Sequence, residues 1–143
     1  MVIFDLTKKQ NTMKIVFEKE EVENIFYSSL CNGLDYVGGY GLRLEFDDAD
    51  YEKAKTTLKN TPRTTTICYE DVLMQILREG GELVLIDEEC DGEYTSRIKM
   101  EDVYERLPLT PTRFLMDMIN EQDDAETADC IIQTVFFKDI VFG

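Results

Sequence analysis

Apolar side chains recur at helical spacing in several segments of the chain. The clearest amphipathic stripe precedes Gly80 and Gly81 and predicts a helix that ends at this pair of glycines. Its apolar residues are Tyr69, Val72, Leu73, Ile76 and Leu77. The same spacing predicts an earlier helix from Val22 to Leu30. We expect that helix to end at Gly33, because glycine commonly terminates helices.

Two short helices are predicted from their boundary residues. Asp47 offers an N-cap for a helix through about Leu58. Residues 101–107 carry carboxylates in their first turn and predict another helix, which we expect to end at Pro108.

The C-terminal region predicts two more helices. Residues 110–111, a threonine and a proline, are typical of a helix start. Asp123 followed three residues later by Glu126 resembles a capping box for the last helix. The apolar tail 136–142 either continues this helix or turns back as a strand, and its pattern fits both.

Two β-hairpins are predicted. Residues 2–4 and 13–17 are short β-branched and aromatic runs with a polar stretch between them. Residues 83–86 form a second apolar run, 90–93 contain an Asp-Gly turn, and 94–100 supply the antiparallel return.

Mixed helices and short antiparallel strands predict the α+β class, with hairpins packed against about five helices. The length fits one domain over residues 1–143. The order helix, strand, helix occurs twice, so two units of architecture, 1–58 and 67–143, are possible within it. The threonine-rich loop 59–66 would join them.

The composition excludes several classes of protein. The chain has 30 acidic and 15 basic side chains, a formal net charge of −15 and no histidine. A surface this negative repels phosphate, so we expect no direct binding to nucleic acid and none to an anionic membrane. The absence of histidine excludes serine–histidine and cysteine–histidine catalysis and histidine-containing zinc sites.

The negative charge is concentrated in the second half of the chain. Residues 1–66 hold 11 acidic and 9 basic residues, a net charge of −2, whereas residues 67–143 hold 19 and 6, a net charge of −13. Helix first turns explain part of this excess, because a carboxylate there gains about 0.3–1 kcal/mol from the helix dipole. The remaining carboxylates need another explanation.

Those carboxylates form two groups of candidate partner-binding residues. The first lies around the predicted turn, in a stretch without lysine or arginine: Asp87, Glu88, Glu89, Asp91 and Glu93. The second places like charges four and eight positions apart, which is unfavourable on one helix. Its members are Asp117, Glu121 and Asp129.

Motifs for metal or nucleotide binding are incomplete. Residues 87–93 begin like an EF-hand loop, but Ile98 stands where a bidentate glutamate is required, and the flanks predict strands. The glycine-rich residues 38–41 lack the Gly-Lys-Ser/Thr ending of a phosphate loop. They are more typical of an approach to the alternating strand predicted over 42–46.

The cysteines predict a reducing compartment. Cys31, Cys68, Cys90 and Cys130 have neither metal-ligand nor redox spacing, and three of them lie in apolar, helix-like contexts that favour free core thiols. The N-terminal residues lack the apolar core of a secretion signal. We therefore expect a cytoplasmic protein with reduced thiols.

These observations favour a non-enzymatic interaction protein without a catalytic residue, a metal or a cofactor. In size and acidity it resembles small inhibitors of phages and mobile elements, although no motif carries this likeness. We expect the carboxylates to mimic nucleic acid on the basic surface of a DNA- or RNA-handling protein. One alternative is a small assembly protein that forms a homodimer through the C-terminal apolar tail and whose acidity serves only solubility. Another is a small divalent-metal enzyme, with Asp47, Asp48 and Asp50, or Asp87 and Glu89, as ligands.

Overall fold

The computed structural model describes residues 2–5, 14–122 and 124–143, and of residues 2–5 and 14–16 only the backbone. Its strands are β1 (Val2–Asp5), β2 (Lys14–Phe17), β3 (Leu42–Glu45), β4 (Leu83–Asp87) and β5 (Ser96–Ile98). Its helices are α1 (Lys19–Gly38), α2 (Asp48–Lys59), α3 (Tyr69–Arg78), α4 (Met100–Arg106), α5 (Thr112–Ile119) and α6 (Ala125–Phe137). A 3₁₀ turn, Leu107–Leu109, follows α4. The α+β class is confirmed, with six α-helices in the described residues.

The strands form two antiparallel sheets. β1 pairs with β2, which confirms the first hairpin. The second sheet has the order β3-β4-β5, and its β4–β5 hairpin is the one predicted around residues 90–93. Since β3 precedes the loop 59–66 and β4 follows it, this sheet joins residues from both halves of the chain.

Helix α1 passes through Gly33 and ends at Gly38, so the predicted stop at Gly33 is wrong. The reason is close packing against α6. A Cβ atom at Gly33 would lie 2.9 Å from the Cβ of Ala128 and equally close to the Cδ1 of Ile132. Glycine is therefore required here by a neighbouring helix and not by the end of its own.

The core lies between one face of the three-stranded sheet and the helices α1, α3 and α6. Alternate residues of β4 point inward, and Leu83 and Leu85 are fully buried. Val84 and Ile86 face the opposite side and are half-buried. The period-two alternation of β4 thus gives the sheet one core face and one outer face.

The ends of most other helices are set by capping side chains or by glycine. The Asp47 carboxylate accepts a hydrogen bond from the Asp50 N–H and caps α2, as predicted. α3 ends before Gly80, whose φ of +87° suits glycine. The cap of α6 is Asp124, which accepts from the Thr127 N–H. The predicted capping box begins at Asp123, which lies outside the described residues.

The sequence predicts that the apolar tail 136–142 either continues the last helix or turns back as a strand, and the tail does neither throughout. α6 continues through Phe137 and stops at Lys138, whose φ is +64°. Residues 139–143 then run back along α6 without regular secondary structure. The tail is therefore partly helical and partly an irregular return segment.

The four cysteines are free thiols, but only Cys130 is buried. Cys31 on α1 and Cys90 are exposed, so the expectation that three of the four cysteines are core thiols is wrong. Cys68 is half-buried at the start of α3, where its Sγ atom lies 3.3 Å from the Tyr27 hydroxyl. No helix in the described ranges has both the length and the apolar character needed to cross a membrane.

Candidate functional site

The turn between β4 and β5 is organised around the carboxylate of Asp87. Asp87 Oδ1 accepts hydrogen bonds from the N–H groups of Glu89, at 3.0 Å, and Cys90, at 2.9 Å. Its Oδ2 accepts from the Tyr94 N–H at 3.2 Å. These backbone bonds hold the pKa of Asp87 below its ordinary value, most strongly the bond from Cys90. Asp87 itself is only 3% exposed, so its carboxylate shapes the turn and has almost no surface available to a partner.

Four carboxylates project from this turn into solvent, and we call them the acidic turn: Glu88, Glu89, Asp91 and Glu93. Glu88 forms an ion pair with Arg43 at 3.1 Å. Within the described part of the chain, the other three make no ion pair. The sequence therefore located an exposed acidic surface, with Asp87 as its internal support.

The backbone of the acidic turn is fixed at two further points. Asp91 and Gly92 both have positive φ, +54° and +78°, as an Asp-Gly turn requires. The Glu89 side chain lies over Gly41, where an added Cβ would be 2.5 Å from Glu89 Cγ. Glycine at position 41 thus gives Glu89 its place beside the start of β3.

The second group of candidates is separated by the structure. Asp117 lies in α5, Glu121 follows that helix with φ of +56°, and Asp129 lies in α6. The three do not share one helix, so the predicted helical spacing is wrong. Only Glu121 is fully exposed, while Asp117 is half-buried.

Asp129 is 2% exposed and belongs to an internal polar cluster. Its Oδ2 accepts a hydrogen bond from the Tyr40 hydroxyl and its Oδ1 accepts one from Gln133 Nε2, both at 2.9 Å. Burial raises the pKa of the Asp129 carboxyl above its ordinary value, although these two hydrogen bonds act against the rise. Burial likewise raises the pKa of the adjacent Cys130 thiol to about 11.

Gln133 joins this cluster to the C-terminal tail. Its Oε1 accepts hydrogen bonds from the N–H groups of Val141 and Phe142, both at 2.8 Å, and its Nε2 donates to the Phe142 carbonyl at 3.2 Å. One buried amide side chain therefore holds the return segment against α6. The sequence pattern does not identify this role, because Gln133 stands between apolar residues of the predicted stripe and resembles a surface position.

The aromatic residues of the tail pack within their own chain. The Phe142 ring stacks on Tyr40 and meets Tyr94 edge to face, with centroids 5.2 Å apart in both cases. Phe136 is 1% exposed and belongs to the core. Phe136 and Phe142 are therefore packed within the chain, whereas Val141 of the same tail is 37% exposed.

The carboxylates considered as metal ligands have other roles or surroundings. Asp47 caps α2, and Asp50 lies beside Gly81, within a shallow groove of about 500 Å³ on the outer face of the sheet. The groove also holds two cations, Arg97 and Lys99. No group of three or more cysteine, aspartate or glutamate side chains is placed to hold a metal ion among the described residues.

Comparison of the chain with protein-family models, curated proteins and solved structures gave no match. The functional assignment therefore depends on the chemistry of the site. A fixed backbone that presents unpaired carboxylates to solvent can attract and bind cations or a cationic surface.

Proposed function

We propose that this protein is a non-enzymatic interaction protein whose acidic turn binds a basic surface on another protein. In the most specific form of the proposal, the partner is a protein that handles DNA or RNA, and the carboxylates occupy its phosphate-binding groove. The observation that carries the proposal is the Asp87 carboxylate, which fixes the turn from inside and leaves Glu89, Asp91 and Glu93 exposed.

Preorganisation supports this function. Ordering a flexible acidic loop on binding costs conformational entropy, about 1–2 kcal/mol for each residue whose backbone becomes fixed. In this turn the hydrogen bonds to Asp87 and the contact of Glu89 with Gly41 already fix the backbone. A partner would therefore bind carboxylates that are in place beforehand, which favours affinity.

Electrostatics supports it as well. Grooves that bind nucleic acid concentrate positive potential, and a surface of opposite sign associates with them faster than a neutral surface does. The half of the chain that contains the acidic turn has a net charge of −13. Such an association is expected to weaken as salt rises, because the Debye length falls from about 10 Å at 0.1 M to about 3 Å at 1 M.

The test is capture of partners by the immobilised protein, followed by displacement. Cell lysate is passed over the protein at low salt, and bound proteins are eluted with duplex DNA, with RNA or with a salt step. The proposal expects basic nucleic-acid-binding proteins among the captured material, and it expects nucleic acid to elute them. Captured proteins that stay bound when nucleic acid is added, and that elute only with salt, are not held through a nucleic-acid-binding groove. That result would contradict the mimicry.

Two charge-reversal variants separate the acidic turn from general acidity. The first carries Glu88→Lys, Glu89→Lys and Glu93→Lys. The matched control reverses three exposed carboxylates on helices, Glu20, Glu52 and Glu105, and changes the net charge by the same amount. Capture should be lost in the first variant and kept in the second. Equal loss in both would mean that the site is not the acidic turn, and thermal melting confirms that both variants fold.

A further inference from the structure

We propose that β3 is a pairing edge through which two copies of this chain form an antiparallel, two-fold symmetric dimer. The dimer would join the two three-stranded sheets into one continuous sheet of six strands. It is a separate interaction from the binding of a basic partner by the acidic turn.

The hydrogen-bonding parity of β3 identifies the groups that face away from the sheet. The Glu88 N–H donates to the Gly41 carbonyl at 2.9 Å, in the same register that pairs Arg43 with Ile86 and Glu45 with Val84. Since hydrogen-bonded pairs alternate with non-bonded pairs, the N–H and C=O of Leu44 point to the outside. Within the described part of the chain, neither group of Leu44 forms a hydrogen bond.

The two edges of the sheet differ in what lies beside them. Along β5, the Ser96 hydroxyl donates to the Phe136 carbonyl at the end of α6, and Arg106 donates to the same carbonyl. Along β3, Arg43 is exposed and Leu44 and Glu45 are half-buried. The N–H and C=O of Leu44 therefore lie in a part of the edge that solvent reaches. An edge of this kind is a template for another strand.

Charge selects the register of the dimer. When Leu44 of one copy lies opposite Leu44 of the other, the two residues exchange both backbone hydrogen bonds, and each Arg43 lies opposite a Glu45. Shifting the register by two in one direction places Arg43 opposite Arg43, and in the other direction Glu45 opposite Glu45. Oppositely charged cross-strand pairs are stabilising and like-charged pairs are destabilising. The sequence Leu-Arg-Leu-Glu over Leu42–Glu45 is therefore complementary to itself in one register.

The dimer and the acidic turn should respond oppositely to salt. Two chains of net charge −15 repel each other at long range, and salt screens this repulsion. Within one copy, Arg43 already forms ion pairs with Glu45 and with Glu88, and the Arg43 and Glu45 side chains are 47% and 43% exposed. In the proposed dimer the two copies are held mainly by backbone hydrogen bonds, which salt affects little. We expect dimerisation to strengthen from low to moderate salt, whereas capture of a basic partner weakens.

The decisive experiment mixes two variants that cannot pair with themselves. Arg43→Glu places glutamate opposite glutamate in a homodimer, and Glu45→Arg places arginine opposite arginine. In the mixture every opposed pair has opposite charges. Sedimentation from about 0.01 to about 1 mM protein should show each variant at least about tenfold weaker than the wild type in self-association, and the mixture restored. A mixture that stays monomeric while the wild type dimerises would place the interface elsewhere.

A backbone variant tests the seam itself. Leu44→Pro removes the outward N–H without removing a bond to β4, a position at which edge strands tolerate proline. Leu44→Ala loses the same side chain but keeps the N–H, so it is the matched control. We expect dimerisation to be lost in Leu44→Pro and kept in Leu44→Ala, with folding checked by circular dichroism. A wild-type protein that remains monomeric at 1 mM in moderate salt, or a dimer that survives Leu44→Pro, overturns the proposal.

Discussion

Gly33 of α1 and Ala128 of α6 lie so close that a methyl group added at Gly33 would meet the Ala128 side chain at 2.9 Å and its backbone at 3.0 Å. At a solvent-exposed position inside a helix, replacing glycine by alanine stabilises the helix by about 1 kcal/mol. At this contact, overpacking costs about 1–3 kcal/mol. We therefore expect Gly33→Ala to lower the free energy of unfolding by about 1 kcal/mol, measured by urea denaturation.

Gly38 is the matched control for that variant. It also belongs to α1, but an added Cβ would have no neighbour within 4 Å among the described residues. Gly38→Ala should raise the free energy of unfolding by about 0.4–1 kcal/mol. If both variants are stabilised, the distance between α1 and α6 is not limited by Gly33.

The buried carboxyl of Asp129 should make stability depend on pH. Its folded-state pKa is raised by burial, and the nearby Glu126 carboxylate adds to the rise. The folded state therefore binds a proton more tightly than the unfolded state does. The resulting stabilisation is fully present below the unfolded-state pKa, near 3.9, and is lost as the pH rises through the folded-state pKa.

Asp129→Asn removes this titration and keeps an oxygen that accepts from Tyr40 or Gln133. The difference in free energy of unfolding between Asp129→Asn and the wild type should shift in favour of the variant as the pH rises from about 4 to about 7. Chemical denaturation across this range measures it. A difference that does not change with pH would show that Asp129 titrates alike in both states.

Gln133 holds the return segment, so its loss should release the tail. In Gln133→Leu, the N–H groups of Val141 and Phe142 lose their acceptor. We expect their amide hydrogens to exchange at least about tenfold faster, with a loss of about 1–3 kcal/mol in stability from the unpaired groups. Hydrogen exchange read by NMR checks this. Gln75→Leu, at a half-buried position of α3, is the control and should leave the exchange of both tail amides unchanged.

The acidic turn should suppress the reactivity of Cys90. Its thiol pKa is raised by desolvation and by the negative charges of Asp87, Glu93 and Glu89. Because the thiolate is the nucleophile, alkylation at neutral pH should be slow in spite of exposure. Glu89→Gln with Glu93→Gln should speed the reaction of Cys90 with iodoacetamide several-fold and leave Cys31 unaffected. Equal acceleration at both thiols would point to a change in folding instead.

Local pattern was sufficient for much of the fold. The α3 stripe, the Asp47 cap and both hairpins follow from interactions between residues close in sequence, and the structure confirms each of them. The helix end predicted at Gly33 is wrong because the residue that requires glycine there, Ala128, is 95 positions away in the sequence. A glycine that ends a helix and a glycine that admits another helix look the same in one sequence.

For the candidate site, too, the sequence predicts one property and not another. Net charge and the Asp-Gly signal located the acidic turn, but they could not distinguish the carboxylates that face solvent from those that face backbone N–H groups. Asp87 and Asp129 are inside because each finds donors when the chain is folded, and those donors include Tyr94, Tyr40 and Gln133. Burial of a charged residue is a tertiary property, and composition does not determine it.

The contact of α1 with α6 also bears on how the chain folds during synthesis. About ninety residues separate the two helices, so the part of α1 that packs against α6 stays uncovered until α6 emerges from the ribosome. Contacts of such long sequence separation slow folding, because the entropy of closing the loop is lost first. The nearly neutral half of the nascent chain is thus exposed until the strongly acidic half arrives, and the repulsion between acidic segments then keeps neighbouring chains apart while the core closes.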